Sequence, residues 1–187
     1  MEKKMKRTTV GLCLTIAGIL SLAACANGDT TAEELSAEPA TGTTIAGDGY
    51  TYVVPEGWTV PGDTGFDLDS VAMDSEATGN FASNVNVLLS PGGKLTADEV
   101  EEAAIPELES VGATDVTVHD RLTIAGSESA HLSAQLAQQG VEYVSEQYYL
   151  SDEDQTYVVT FSFAGDTAVE DRRSVAESVL VTWEWAE

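Results

Sequence analysis

The chain has 187 residues and is strongly acidic, with 32 Asp and Glu against 8 Lys and Arg, which gives a formal net charge of −24. Binding to nucleic acid depends on clustered Lys and Arg at the phosphates, so this composition excludes nucleic acid as a partner. An anionic membrane surface would also repel the chain, so membrane attachment requires something other than surface charge.

Residues 1–24 have the organisation of a bacterial export signal. Half of the basic residues lie within residues 1–7, and the run from Val10 to Ala24 contains no charged residue. A basic segment, a short apolar segment and small residues before a cleavage point are the parts of a secretory signal peptide. The apolar run is shorter than the roughly 18–20 residues that a spanning helix needs. We therefore predict a signal peptide over residues 1–24.

The segment Leu22-Ala23-Ala24-Cys25 resembles the bacterial lipobox. The resemblance implies that the Cys25 thiol receives a diacylglyceryl group and that Cys25 becomes the first residue of the mature chain. Two acyl chains anchor a protein firmly where one is marginal. The alternative is an ordinary signal peptide with a chance cysteine near its cleavage point. We expect a lipid-anchored protein on the outer face of the cell membrane.

Processing at this point makes the chain still more acidic. Removal of residues 1–24 takes away four basic residues and one acidic residue, which leaves 4 basic against 31 acidic residues and a formal net charge of −27. The remaining basic residues are Lys94, Arg121, Arg172 and Arg173. Acylation of Cys25 also leaves no thiol for an internal disulfide, so stability must come from a hydrophobic core.

The mature chain divides into a spacer and one domain. Residues 25–47 consist largely of Ala, Thr, Gly and Glu with few large apolar side chains, a composition that predicts a flexible spacer. Residues 48–187 have the length of a single domain with one core.

The first half of this domain shows strands followed by a helix. Alternating or β-rich segments predict strands over residues 50–54 and 84–89, with a short strand near residues 71–73. Thr96 and Glu99 form a capping-box signal, so a helix is predicted from there to Gly112, with a kink or break at Pro106. The acidic side chains expected on its outer face are Glu101, Glu102 and Glu109.

The second half predicts a series of hairpins and a closing helix. Strand patterns cover residues 116–124, 130–136, 141–150 and 157–163 and are separated by short turns, the first of them Ala125-Gly126-Ser127. A second capping signal, Thr167 with Glu170, begins a helix that ends near Trp183. The pattern predicts the α+β class, with an antiparallel β-sheet of five to seven strands packed with two main helices.

Several motifs in this order resemble one family. They are Val54-Pro55-Glu56-Gly57-Trp58, Asn84-Val85-Asn86-Val87, the acidic helix, the hairpin series, the strand over residues 157–163 and the closing helix that ends in Thr182-Trp183. The chain thereby resembles the LpqN/LpqT-type lipoproteins of actinobacteria, which are similar to the PsbP-like α/β/α sandwich. The resemblance covers nearly the whole domain and implies an accessory or adaptor module without a shared catalytic signature.

The sequence lacks the common catalytic and metal-binding motifs. The segment Gly126–Ala130 is closest to a Gly-Xaa-Ser-Xaa-Gly elbow but lacks its second glycine, and neither a phosphate-binding loop with Lys nor His-Glu-Xaa-Xaa-His occurs. Asp63, Asp67 and Asp69 crowd one loop, which lacks the glycine of an EF-hand, so we interpret it as solvated rather than calcium-binding. No enzyme activity, cofactor or metal is expected.

The two histidines are the remaining candidates for a metal site. If Ala125–Ser127 is the hairpin loop, His119 faces Ser133 and Arg121 faces His131. The two histidines are then diagonal neighbours on adjacent strands, with their Cα atoms about 7–8 Å apart. Glu146 on the following strand is a possible third member. A metal site requires the histidines to be closer or to be bridged by a third ligand, so we interpret them as surface or hydrogen-bonded side chains.

Aromatic residues raise one alternative function. The domain contains a set of eight aromatic residues: Tyr50, Tyr52, Trp58, Tyr143, Tyr149, Tyr157, Phe161 and Phe163. Aromatic sets of this kind mostly form a core, and the alternative is that they line an apolar ligand cavity.

The sequence thus favours a protein-binding lipoprotein of the cell envelope with a basic partner, because fields of one sign steer complementary charge. The expected contact is Glu101, Glu102 and Glu109. The alternative is a carrier of a small apolar or lipid molecule.

Overall fold

A large mixed β-sheet forms the centre of the computed structural model, which describes residues 32–62, 65–138 and 140–186. In chain order the elements are β1 (Glu33–Glu34), β2 (Thr44–Gly47), β3 (Tyr50–Val53), β4 (Trp58–Thr59), β5 (Ser70–Asp74), β6 (Asn84–Leu89), α1 (Ala97–Ser110), β7 (Thr114–Ile124), β8 (Ser127–Gln138), β9 (Val141–Ser151), β10 (Thr156–Ala164), α2 (Val169–Leu180) and β11 (Glu184–Trp185). Residues 1–24 and Cys25 lie outside the described residues, so the signal peptide and the lipid attachment stay predictions.

The main sheet has eight strands in the order β1-β7-β8-β9-β10-β6-β5-β4, and a second sheet has the order β11-β3-β2. All neighbours in both sheets are antiparallel except β1 and β7, which are parallel. The α+β class with two helices is confirmed, whereas the prediction of five to seven antiparallel strands is wrong. Strands β1 and β4 have two residues each, too few to show an alternating pattern.

The layers follow from the two faces of β8 and β9. Ala130, Leu132 and Ala134 are buried against α1, where Val100, Ala104 and Leu108 complete a small cluster. The opposite face carries the larger core, to which the three-stranded sheet and α2 contribute. Its largest fully buried side chains include Tyr50, Tyr52, Tyr148, Phe161 and Phe163. The main sheet therefore lies between α1 on one side and α2 with the small sheet on the other.

Part of the predicted spacer is structured. Strands β1 and β2 lie within residues 25–47, and Leu35 N donates to Thr123 O at 2.9 Å while Gly42 N donates to Val54 O at 2.9 Å. Ile45 is buried in the larger core. Strands β1 and β2 therefore pair and pack with the domain, although the sequence predicted a flexible spacer up to residue 47. The composition of this segment did not indicate that it is structured. The segment is held by backbone hydrogen bonds and by one buried Ile, and neither changes the overall polarity of its composition.

The two helices begin differently. At α1 the predicted capping box is present: Glu99 N donates to Thr96 Oγ1 at 3.3 Å, and Thr96 N donates to Glu99 Oε2 at 2.8 Å. The helix continues through Pro106, so the predicted break does not occur; Pro106 occupies an exposed position, where water can replace the missing backbone donor. At α2 the N-cap is Ala168, which makes no side-chain capping bond, so the predicted cap at Thr167 is wrong.

The hairpin between β7 and β8 is tighter than predicted. Ile124 pairs with Ser127, which leaves Ala125 and Gly126 as a two-residue turn with φ of 49° and 78°. Positive φ at both positions is typical of a type I′ turn, which suits the twist of antiparallel strands. The predicted three-residue loop is therefore wrong by one residue, and this error changes every pairing that was derived from it.

Candidate functional site

A bulge in β7 determines where the charged and imidazole side chains lie. Leu122 pairs with Ser129 and His119 pairs with His131, so two residues of β7, Asp120 and Arg121, oppose a single residue of β8. A bulge of this kind redirects the side chains that follow it. Arg121 contacts α1 on one face of the sheet, whereas His119 lies beside His131 on the other.

On the α1 face, Arg121 binds three carboxylates. Its Nε and Nη2 donate to the two carboxylate oxygens of Glu101, both at 2.7 Å, and it also contacts Asp98 and Glu128. Glu101 is therefore engaged within the domain and its side chain is only 24% exposed. Of the three residues predicted as a partner contact, Glu102 and Glu109 are exposed. The acidic row available to a partner is shorter than the sequence suggests.

On the opposite face, the two histidines stack. The ring centroids of His119 and His131 are 4.3 Å apart with 26° between the ring planes, and His131 also stacks on Tyr148 at 4.1 Å. The predicted diagonal arrangement is therefore wrong, because the two-residue turn and the bulge place the histidines directly opposite each other.

Glu146 joins them from β9. Its Oε2 lies 2.9 Å from His131 Nε2, and Arg172 Nε on α2 donates to its Oε1 at 2.9 Å. The side chains of Glu146 and Arg172 are 6% and 12% exposed. His119 Nε2 lies 2.7 Å from Ser133 Oγ. We call His119, His131, Glu146 and Arg172 the imidazole–carboxylate cluster. The suggestion that Glu146 lies near the histidines is confirmed, and its ion pair with Arg172 is a contact that the sequence analysis missed.

The surroundings shift two pKa values in this cluster. Burial lowers the pKa of His119, and the neighbouring His131 lowers it further. Burial alone would raise the pKa of Glu146, but the hydrogen bonds and charges of His131 and Arg172 outweigh burial, so the pKa of Glu146 lies below its usual value. At neutral pH the site therefore contains a neutral His119 imidazole and a charged Glu146 carboxylate.

Other candidates have structural roles. Asp69 accepts hydrogen bonds from Tyr50 Oη at 2.6 Å and from Asp48 N at 3.0 Å, while Asp67 is exposed and Asp63 lies outside the described residues. Within the described ranges, the group of three metal-ligating side chains that lie near one another is His119, His131 and Glu146, not the aspartates of this loop.

The serine of the imperfect elbow motif also belongs to the fold. Ser127 is 8% exposed, and its Oγ accepts a hydrogen bond from Ser151 N at 2.8 Å, which links β8 to β9. It lies in the hairpin and not in the strand-to-helix turn that a nucleophile elbow requires.

The aromatic set is mostly core. Within it, Tyr50, Tyr52, Trp58, Tyr157, Phe161 and Phe163 are buried in the larger core. Tyr143 stacks on Phe81 at 5.5 Å, and Tyr149 packs against the α1 cluster. A cavity of about 170 Å³ lies beside this core, lined by Leu35 of the segment after β1, by Ile124, by Leu180 at the end of α2 and by Trp183 after that helix.

The described residues therefore form an α+β domain with a mixed eight-stranded sheet between two helices and a smaller sheet. No protein-family model and no curated protein sequence matches the chain. Among solved structures, LpqN of Mycobacterium tuberculosis, a protein involved in cell envelope biogenesis, is 14% identical, with a TM-score of 0.56 over 78% of this chain and 90% of that one. The chain thus has an LpqN-like fold.

Two further structures are similar at a coarser level. A protein from Bacteroides thetaiotaomicron is 15% identical, with a TM-score of 0.44 over 74% of this chain, which spans 45% of the length of that protein. A protein of unknown function from Pseudomonas aeruginosa is 14% identical, with a TM-score of 0.41 over 57% of this chain and 83% of that one. Among the described residues, no helix is long and apolar enough to cross a membrane.

Proposed function

We propose that the chain is a non-enzymatic lipoprotein, anchored through Cys25 on the outer face of the cell membrane, that binds another protein of the cell envelope. The observation that carries this proposal is the LpqN-like fold, since LpqN is involved in cell envelope biogenesis. The lipobox at Leu22–Cys25 supports the anchor. The proposal includes a PsbP-like α/β/α sandwich as the class of this fold.

The charge distribution supports a basic partner. The arginines of the domain contact carboxylates of the same chain, and Lys94 Nζ donates to Asp152 O at 2.5 Å. The few cations are thus occupied internally, while exposed acidic side chains are numerous. Glu102 and Glu109 on α1 present a fixed acidic surface, and complementary charge accelerates association.

The anchor is tested by fractionation. Wild-type chain should cofractionate with membranes through a high-salt wash, and Cys25→Ser should be released or remain unprocessed. If the Cys25→Ser protein stays with membranes through that wash, the lipid anchor is wrong.

The partner is tested by crosslinking in the native membrane followed by mass spectrometry. Glu102→Lys with Glu109→Lys should weaken recovery of the crosslinked partner. The matched control is Glu170→Lys with Asp171→Lys, which reverses two exposed charges on the helix at the opposite face. Equal loss in both variants, or an affinity for the captured partner that is unchanged between low and high salt, would contradict a basic partner bound at α1.

A carrier of small molecules is a second candidate, because a cavity lies beside the core and one of its lining residues has an unused donor. Trp183 Nε1 is buried without a hydrogen-bond partner among the described residues, and Trp183 lines the cavity. The volume of about 170 Å³ is below the roughly 300 Å³ of ordinary ligand pockets, which is why we rank binding of a protein first. Native mass spectrometry of the purified chain distinguishes the two: a bound small molecule in stoichiometric amount supports the carrier.

A further inference from the structure

Three ligand-type side chains converge on one face of the main sheet. One ligand atom each from His119, His131 and Glu146 lies within 4.8 Å of the other two. The three residues belong to the adjacent strands β7, β8 and β9, so the backbone that carries them is cross-linked by ladder hydrogen bonds. Sites built on strands are more precise than sites on loops.

We propose that His119, His131 and Glu146 form a binding site for Zn²⁺, with the fourth coordination position open to water. Two imidazole nitrogens and one carboxylate oxygen are a donor set that suits zinc, whereas calcium and magnesium prefer oxygen ligands throughout. The three-residue turn predicted from the sequence would place the histidines diagonally, with their Cα atoms about 7–8 Å apart. The bulge at Asp120 and Arg121 brings His119 directly opposite His131.

The existing contacts of the three side chains indicate how these side chains move when zinc binds. Zinc–ligand distances of about 2.0–2.1 Å put the donor atoms of a tetrahedral site roughly 3.3 Å apart. His131 Nε2 and Glu146 Oε2, now 2.9 Å apart, therefore separate slightly, whereas donor atoms at the 4.8 Å limit of the group move closer together. His119 is only half-buried and bonds to the neutral Ser133 Oγ, so its ring can turn toward the others. On Glu146, Oε2 exchanges the hydrogen bond to His131 for the ion, while Arg172 keeps Oε1.

Arg172 has two opposing effects on this site. Its hydrogen bond fixes the orientation of the carboxylate, as outer partners of metal ligands commonly do. Its positive charge repels the ion and weakens binding. Its hydrogen bond occupies Oε1, so the carboxylate binds the ion through Oε2 only. The acidic surface of the remaining domain acts in the other direction, because a net charge far below zero concentrates divalent cations around it.

The test uses the full chain, solubilised in detergent and purified without a polyhistidine tag. Zn²⁺ is titrated by calorimetry in the presence of millimolar Ca²⁺ and Mg²⁺, which occupy oxygen-only sites. We expect one equivalent of Zn²⁺ to bind. His119→Gln should weaken that binding by more than the ~10–100-fold that loss of an outer hydrogen-bond partner costs. His119 lies outside the buried ion pair, so this variant should fold, which its metal-free melting temperature checks.

The control is Glu102→Gln with Glu109→Gln, which removes two exposed acidic side chains far from the histidines in the fold and should leave zinc binding unchanged. Cobalt provides a second measurement, since its visible absorption reports imidazole coordination and should be lost in His119→Gln. Three outcomes overturn the proposal: no zinc binding, binding that Ca²⁺ and Mg²⁺ abolish, or equal binding in His119→Gln. The last two mean an adventitious ion only.

Discussion

The two helices lie on opposite faces of the main sheet, and each is linked to the sheet by an arginine that binds carboxylates. On the α1 face, the Arg121 side chain is 27% exposed and its partners range from 24% to 85% exposed. On the α2 face, Arg172 and Glu146 are 12% and 6% exposed. Water and salt screen the first group, while the second must satisfy its charges within the protein.

This difference in solvent access assigns different roles to the same ion-pair chemistry. Around Arg121 the carboxylates can return to water if the arginine is lost. Around Arg172 the Glu146 carboxylate has only protein groups to stabilise it, so the pair specifies where α2 meets β9. The predictions below test this contrast between the two faces and then between the starts of the two helices.

The largest effect is expected for Arg172→Ala. Removing one member of a buried ion pair leaves an uncompensated charge, which costs about 3–5 kcal/mol; the remaining contact to His131 favours the lower end. The measurement is urea unfolding at neutral pH. Arg173→Ala is the matched control, since this neighbouring arginine is 66% exposed and, among the described residues, its ion pair is with Glu177 on the same helix. Such a contact contributes about 0.5 kcal/mol or less. Similar losses in the two variants would show that burial of the pair has no special consequence.

An intermediate effect is expected for Arg121→Ala. Each exposed ion pair contributes about 0.2–1 kcal/mol, so loss of the three contacts should destabilise the domain by roughly 1–2 kcal/mol. The dependence on salt distinguishes this variant from Arg172→Ala. At about 1 M NaCl the screening length is about 3 Å, so the difference in unfolding free energy between Arg121→Ala and wild type should shrink. The difference for Arg172→Ala should persist in the same salt. A salt-independent loss at Arg121 would contradict the contrast between the faces.

A smaller effect separates the starts of the two helices. Thr96 satisfies the Glu99 N–H at α1, so Thr96→Ala should cost about 1 kcal/mol. At α2 the N-cap is Ala168 and Thr167 contributes no capping bond; Thr167→Ala should therefore stay within about 0.5 kcal/mol of wild type. Thermal unfolding of both variants measures the difference, and equal losses would mean that Thr167 caps α2 in solution.

The helix starts also illustrate how far the sequence predicts this fold. Thr96 and Thr167 are both followed by glutamate at the third position, yet only the first pair forms the capping box. At α2 the Thr167 carbonyl accepts a bond from Arg172 Nη1 at 2.8 Å instead. The Thr–Glu spacing is thus identical at the two helices, but the capping box forms only at α1. At α2 the difference coincides with the tertiary contact of Arg172. Helix α1 and strand β8 were predictable because each has a periodic buried face. Strand β10 was predictable because it is rich in aromatic and β-branched residues.

The candidate site was harder to predict because it depends on register. Residue types indicated that His119, His131 and Glu146 were worth testing, and an assumed turn length then separated the histidines. A two-residue turn and a one-residue bulge reverse that result, and neither has a hydrophobic pattern. Register is specified by contacts between strands that hydrophobic periodicity within one strand does not reveal.

The smallest effect concerns the charge of the capping box and depends on pH. The Thr96 backbone N–H and then its hydroxyl donate to the Glu99 carboxylate, and these bonds lower the pKa of Glu99 below its ordinary value of 4.5. A lowered folded-state pKa means that the stabilisation is present above the unfolded-state pKa and is lost as pH falls through the folded-state value.

Glu99→Gln keeps the shape and an acceptor oxygen but removes the charge. Its melting temperature should lie slightly below that of wild type at pH 7. The gap should begin to narrow as pH falls below the ordinary glutamate pKa and should close once pH passes the lowered folded-state pKa, because wild-type Glu99 is then neutral as well. Glu102→Gln removes the same charge from an exposed position of α1 and controls for charge alone. If the melting temperatures of both variants fall by the same amount at pH 7, the effect reflects net charge and not the capping box. If the gap for Glu99→Gln widens toward low pH, the sign of the linkage is wrong and the carboxylate does not stabilise the start of α1.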